Sequence, residues 1–247
     1  MAETRGVTRR DLFRMAAAGG VTTAVGLNLG EGGPRAAGAA DVVGPPPTTP
    51  QAALQELRDG NARFLAHVPG SFNEDLRLIN SGATESHIPF AAILSCADAR
   101  VSPEIIYDQA MGDLFVTRVA GNIATPEIIA SLEFSLAVLR TVRLIVVLGH
   151  RSCGAVDNAI ARTAAPGQIS VLYAALRAAV NLGGTSSNDE KTRLNARIQA
   201  IILRDSSPVI APLVQQGALF VVAAYYDIAT GVVTELPLPP VSGPPGP

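Results

Sequence analysis

Four short apolar runs, at 90–95, 114–119, 143–149 and 218–225, constrain this chain more than any other feature. Each reads as a strand. Between and after them lie helical patterns at 102–110, 126–140, 153–163, 168–181, 189–204 and 207–216. Strands that alternate with helices predict a mainly parallel sheet. The turn Asp227-Ile228-Ala229-Thr230-Gly231 leads into a last short strand, 232–236, and so predicts a hairpin at one edge. Ahead of the sheet, Thr49-Pro50 opens a helix with Pro at its first position, and Ala53, Leu54, Leu57, Phe64 and Leu65 keep roughly helical spacing. The expectation is an α/β fold. A mainly parallel central sheet of four strands carries a short antiparallel edge strand, with helices on both faces and an N-terminal helical arm. The chain has 247 residues, 48% hydrophobic and 16% charged, enough for one substantial domain with a sizeable core. No internal repeat is visible.

The segments outside this domain read differently. Thr8-Arg9-Arg10-Asp11-Leu12-Phe13-Arg14 is followed by a weakly hydrophobic stretch, Met15 to Leu29, and then by the small-residue run Ala36-Ala37-Gly38-Ala39-Ala40. A charged start, an apolar middle and a small-residue end describe an export signal over 1–40. The paired arginines resemble the twin-arginine type. The apolar stretch is too short and too mild to span a bilayer comfortably. The expected location is therefore exported, periplasmic or extracellular, with no membrane span in the mature chain. Cleavage near Ala40 removes 5 of 19 basic and 3 of 21 acidic residues, leaving 14 and 18, a net charge of −4. Residues 41–49 form a linker, 50–236 the domain, and 237–247 a Pro/Gly-rich tail that is extended or disordered. No basic run interleaves with aromatics, which argues against nucleic acid as a partner.

Chemistry concentrates in two segments, Ser95-Cys96-Ala97-Asp98-Ala99-Arg100 and Gly149-His150-Arg151-Ser152-Cys153-Gly154. They hold both cysteines of the chain and one of its three histidines, and each directly follows a strand-like run. In an open parallel sheet, ligands sit beyond the carboxyl ends of the strands. Two cysteines and a histidine placed there match a zinc site with one position left for chemistry. Cys153 opens the next helix, where the helix dipole favours the thiolate. Two cysteines are too few for a disulfide framework, although a single Cys96–Cys153 bridge is the alternative to a metal site.

On these residues the chain resembles a β-class carbonic anhydrase. The resemblance rests on Cys-x-Asp-x-Arg at 96–100 and His-x-x-Cys-Gly at 150–154. Further matches are Gly112-Asp113-Leu114-Phe115, Arg118-Val119-Ala120-Gly121-Asn122, Ser131 with Glu133, and Tyr226-Asp227 before Thr230-Gly231, so that it covers about residues 51 to 236. It implies one zinc per chain on Cys96, His150 and Cys153, with the fourth position taken by water or, in a closed form, by Asp98. It implies reversible hydration of CO₂ to bicarbonate and a proton. It also pairs Arg100 with Asp98, in agreement with the chemistry of the residues. Two thiolates already neutralise Zn²⁺, a neighbouring carboxylate can accept the water's hydrogen bond, and an arginine two residues on can hold that carboxylate bidentately and ionised.

The resemblance further assigns substrate contacts. The N–H of Gly154 becomes a donor to a substrate oxygen, and Phe115 and Phe134 match positions lining the apolar cleft. His87 stands where the family often has Gln and could donate to substrate or shuttle protons near neutral pH. Arg118 matches an arginine of the family's non-catalytic bicarbonate pocket, but the tyrosine of that pocket is Ser135 here and the chain has no Trp. That regulation is expected to be absent or different. His67 reads as a surface residue. The family implies self-association as a dimer or tetramer, with N-terminal helices over the partner and sheets joined across the interface. Two other functions fit the same motifs. One is a hydrolase of CS₂ or COS on this scaffold, distinguished by its substrate tunnel. The other is a non-catalytic exported zinc-binding or thiol-redox protein; the absence of Cys-x-x-Cys argues against the redox form.

Arg9→Lys combined with Arg10→Lys is expected to trap the precursor in the cytoplasm, as followed by cell fractionation. Mature double variant appearing normally outside the membrane would show that the signal is of another type.

Overall fold

The computed structural model describes residues 45–71, 75, 88–162 and 164–240. The export segment, part of the linker, His87 and residues 241–247 lie outside the described residues.

The first described helix, α1 (Pro50–Leu65), starts as its sequence predicts. The Thr49 side chain accepts the Ala52 N–H at 3.2 Å, and Pro50 fills the first turn, where its missing N–H costs nothing. Its buried stripe is Pro50, Ala53, Leu57, Gly60 and Asn61, the spacing of one helix face. Asn61 fastens this helix to its own domain. Its amide donates to the carbonyls of Ile106 and Gly231, each at 3.0 Å, and its oxygen accepts the Val233 N–H at 3.1 Å. Gly60 lies so close to the next element that an added Cβ would sit 1.7 Å from the Tyr107 carbonyl oxygen.

The sheet order is β2 (Leu114–Arg118), β1 (Ala91–Ser95), β3 (Leu144–His150), β4 (Phe220–Tyr226), β5 (Val233–Leu236). The first four strands are parallel, and β5 pairs antiparallel with β4. The two central strands, β1 and β3, are buried at every position, as parallel strands covered on both faces must be. Their side chains divide between the faces with period two. Ala92, Leu94, Ile145 and Val147 pack with residues of α3 (Pro126–Phe134), α6 (Asn188–Ser206) and α7 (Ile210–Gln215). Ala91, Ile93, Leu144, Val146 and Leu148 pack with Ala53 and Leu57 of α1 and with Ile106 of α2 (Pro103–Ile106). Each Leu or Ile so buried contributes about 1.5–3 kcal/mol. A third cluster joins Cys96 and Cys153 to Val156 and Ala159 of α4 (Gly154–Ala161) and Leu176 of α5 (Ser170–Gly183). Both sulfurs thus lie in apolar surroundings.

Helix ends depart from the periodic reading where single residues leave helical geometry. The pattern at 102–110 yields only the four residues of α2, because Asp108 adopts φ +45°. Its carboxylate accepts the N–H groups of Gly70 and Ser71 and an ion pair from Arg63 at 2.6 Å, contacts that hold it there. The pattern at 126–140 splits into α3 and a π-helical turn, Ser135–Leu139, that ends at Arg140 with φ +63°. The remaining elements match within a few residues, the ordinary uncertainty of helix and strand ends. The start of the tail is tied down: Arg204 donates to the Pro239 carbonyl at 2.6 Å and Leu238 packs on the core. Among the described residues, no helix is long and apolar enough to cross a membrane.

Gly60→Ala is expected to cost about 1–3 kcal/mol by forcing α1 away from Tyr107, lowering the thermal midpoint. Gly154→Ala is the control, since its Cβ would meet nothing within 4 Å. Equal midpoints for the two variants would show that α1 is not seated on Tyr107.

Candidate metal centre

The register places the site. Ser95 is opposite Leu148 on the neighbouring strand, so Cys96 leaves β1 beside the point where β3 ends at His150. A short turn through Arg151 and Ser152 brings the chain back to Cys153, which caps the start of α4. Ser152 takes φ +52° in this turn, and its N–H is held by Asp189 at 3.2 Å. The sulfurs of Cys96 and Cys153 and a ring nitrogen of His150 all lie within 4.8 Å of one another, and all three residues are buried. Both cysteines are free thiols, so the disulfide alternative is not what the fold contains.

The imidazole is set for ligation. Its Nδ1 lies 2.9 Å from the Arg151 carbonyl oxygen, which can only accept. Nδ1 therefore carries the proton, and Nε2 of the neutral ring presents a lone pair. Nε2 is fully buried and has no hydrogen-bond partner among the described residues. Leaving such an atom unsatisfied costs about 1–3 kcal/mol, a cost removed when it binds something. With two thiols beside it, a Zn²⁺ ion fits the donor set.

The thiols are unequal. Cys96 is pushed well below the ordinary thiol range, first by the hydrogen bond from Cys153 and also by the Gly121 N–H, against the opposing effect of burial. Cys153 is pushed up, first by Cys96 and then by burial. The N–H groups of Val156 and Ala155 do lower its pKa, but the neighbouring thiolate outweighs them. A divalent cation between the sulfurs removes that conflict, and its binding releases the retained proton.

A second layer of contacts shapes the Cys96 turn. Arg118, at the end of β2, donates to the carbonyls of Cys96 at 3.1 Å and Asp98 at 2.6 Å. Gly121 donates its N–H to the Cys96 sulfur at 3.3 Å. Asp98 and Arg100 form a two-pronged pair, Nε to Oδ1 at 2.9 Å and Nη2 to Oδ2 at 2.8 Å, with the Arg100 backbone N–H also on Oδ1 at 2.9 Å. The Arg100 guanidinium is the chief reason that the Asp98 carboxyl sits well below the usual carboxylate range. Arg100 also reaches the Ser152 carbonyl at 3.4 Å and so links the two ligand-bearing turns. Held in this way, Asp98 is paired with Arg100 and is not one of the three clustered donors.

The other expected site residues fall at different places. Gly154 is the first residue of α4 and exposes its backbone beside Cys153. Phe115 is three register steps before Arg118 and packs against the core, and Phe134 is 48% exposed at the end of α3. Among the described residues, neither ring is one of those packed on the cluster that holds Cys96 and Cys153. His67 is exposed as expected. Ser135 is buried and donates to the Leu132 carbonyl, while Arg118 is engaged with the Cys96 turn. Sequence reasoning gave no role to Gly121, although it too follows the carboxyl end of a strand. It also missed Asp189 and the buried amides Asn195 and Gln199 of α6. The available signal was two amides one helical turn apart on the face that carries Ala196 and Ala200.

Comparison with known proteins agrees with this geometry. A family model described as carbonic anhydrase matches residues 91–233. Carbonic anhydrase 2 of Mycobacterium tuberculosis is 36% identical over 193 residues, spanning 75% of this chain and 92% of that protein. The carbonic anhydrase of Mycolicibacterium smegmatis is 34% identical over 195 residues, spanning 76% and 94%. The solved Coccomyxa β-carbonic anhydrase, in complex with acetazolamide, superposes with a TM-score of 0.56 at 26% identity, covering 74% of this chain and 86% of that one.

Purified protein is expected to carry about one zinc per chain, and Cys96→Ser, His150→Ala and Cys153→Ser each to lose it, as read by elemental analysis. Metal-free wild-type protein with a Cys96–Cys153 disulfide and undiminished stability would contradict this.

Proposed function

The chain belongs to the β-carbonic anhydrase family, and we propose that it interconverts CO₂ with bicarbonate and a proton, using one zinc held by Cys96, His150 and Cys153. The observation that carries the zinc assignment is the buried, unpartnered Nε2 of His150 beside two free thiols. When bound, zinc supplies the Lewis acidity that makes a water nucleophilic near neutral pH.

The surrounding residues supply direction. Asp98, kept ionised by Arg100, accepts the hydrogen bond of the attacking water and turns its lone pair toward the CO₂ carbon. Arg100 keeps Asp98 on this duty and prevents it from occupying the fourth position. Gly154, first in α4, has no N–H partner within its helix and donates to the substrate oxygen that gains charge. The proton leaves to solvent on the exposed side, where the Arg100 side chain is about half accessible. The cleft-lining role of Phe115 and Phe134, and that of His87 in donation or proton shuttling, rest on their positions in the family pattern. Arg118 is committed to the Cys96–Asp98 turn, Ser135 is buried, and the chain has no Trp. Those three facts support the absence of the family's non-catalytic bicarbonate pocket.

Two further features belong to this proposal. The chain self-associates as a dimer or tetramer, supported by β2. This terminal strand of the sheet leaves Leu114, Phe115 and Val116 only partly buried. The protein is exported by a twin-arginine-type signal, supported by Arg9, Arg10 and the segment that follows them.

Stopped-flow CO₂ hydration on zinc-quantified protein tests the activity. Asp98→Asn is expected to keep zinc and lose about 10²-fold or more in rate, the scale of a positioned acid–base group. Arg100→Ala is expected to keep zinc, lose activity, and show Asp98 as a fourth ligand in a crystal structure. Full activity of Asp98→Asn at matched zinc content would remove the role given to Asp98. Zinc-loaded wild type that leaves CO₂ untouched but hydrolyses CS₂ or COS would shift the assignment to that chemistry.

A further inference from the structure

Helix α6 carries two amides in its buried face, Asn195 and Gln199, which are 0% and 1% exposed. Both lie one helical turn apart among Ala196, Ala200 and Leu203. Their side chains form a ladder. Asn195 donates to the Gly121 carbonyl at 2.8 Å, and its oxygen accepts from Gln199 at 3.1 Å. Gln199 accepts the Ala124 N–H at 2.9 Å and donates a long bond to the Ala175 carbonyl at 3.5 Å. The ladder therefore grips the loop after β2 at two points, Gly121 and Ala124. Asn122 of the same loop does not anchor it, since it is buried with neither amide atom partnered among the described residues.

The gripped residue touches the candidate metal ligand. Gly121 has φ +80°, and an added Cβ would lie 3.1 Å from Leu176. Its conformation is thus fixed by packing on one side and by Asn195 on the other. Its N–H points at the Cys96 sulfur at 3.3 Å. An N–H bond to a thiolate draws charge from the sulfur and orients its lone pairs, which sets how strongly it donates to a metal.

We propose that Asn195, braced by Gln199, is a positioning residue for zinc: it holds the Gly121 N–H on the Cys96 sulfur and so sets the geometry and donor strength of that ligand. This rests on the reading that zinc binds at Cys96, His150 and Cys153. A role in packing alone would make zinc affinity follow overall stability. A positioning role predicts a loss of affinity out of proportion to the loss of stability.

The test compares wild type with Asn195→Leu and with Leu203→Ala, a core cavity in the same helix. Zinc dissociation constants come from chelator competition, and cobalt-substituted protein reports sulfur-to-metal charge transfer. Asn195→Leu is expected to weaken zinc binding by about 10- to 100-fold and to move the charge-transfer bands to lower energy. Leu203→Ala is expected to leave both near wild type while lowering the thermal midpoint. Wild-type affinity and bands in Asn195→Leu, or equal weakening in the two variants, would overturn the proposal. If Asn195→Leu does not fold, Gln199→Met removes the brace together with the Ala124 and Ala175 contacts, leaves the Asn195 bond to Gly121 in place, and should move both readouts the same way by a smaller amount; no movement would overturn it. Wild type that binds no zinc would overturn the metal reading itself, an outcome distinct from the others because it precedes any comparison of variants.

Discussion

His150 Nε2 is buried, presents a lone pair and has no hydrogen-bond partner among the described residues. The parallel register of β1 and β3 puts that nitrogen at the same sheet end as Cys96, and the turn through Ser152 returns Cys153 to it. Apolar residues of α4 and α5 close around the two sulfurs. A dry pocket makes an unsatisfied nitrogen costly and sets the two thiols against each other's ionisation, and a dication relieves both. The metal and the fold are therefore expected to stabilise one another.

Around this cluster, charge is distributed by hydrogen bonds more than by net charge. Arg100 fixes Asp98 with three bonds from one residue, and Arg118 fixes the carbonyls that flank it. Two arginines thus hold one turn of three residues rigid beside the metal position. Asp189 and Asn195, from a single helix far along the chain, hold the other two loops that approach it. Helix α6 is the common support. It packs on β3 and β4 with its alanines, and with its polar residues it sets the loops beyond the sheet.

The sheet and the three donors were legible in the sequence for plain physical reasons. Buried strands must be apolar, and cysteine and histidine in a cysteine-poor chain stand out at their ends. Helix limits were less legible, because the end of α2 depends on Asp108 accepting bonds from Gly70 and Ser71, residues nearly forty positions earlier. The helix start lowers the Cys153 thiol through the N–H groups of Val156 and Ala155, a local feature that the sequence shows, whereas the opposing effect of Cys96 comes from another strand end that only the fold brings near. Asn195 and Gln199 escaped because an amide on a helix reads as solvent-facing until the fold buries it. Phe115 and Phe134 are assigned by position in a family pattern, and among the described residues neither packs on the cluster of the two cysteines.

Zinc-edge X-ray absorption on the purified protein tests the central claim most directly. The account predicts two sulfur neighbours at about 2.3 Å and lighter atoms, one of them imidazole nitrogen, at about 2.0–2.1 Å. Zinc surrounded by nitrogen and oxygen alone, with Cys96 and Cys153 still free thiols, would contradict it.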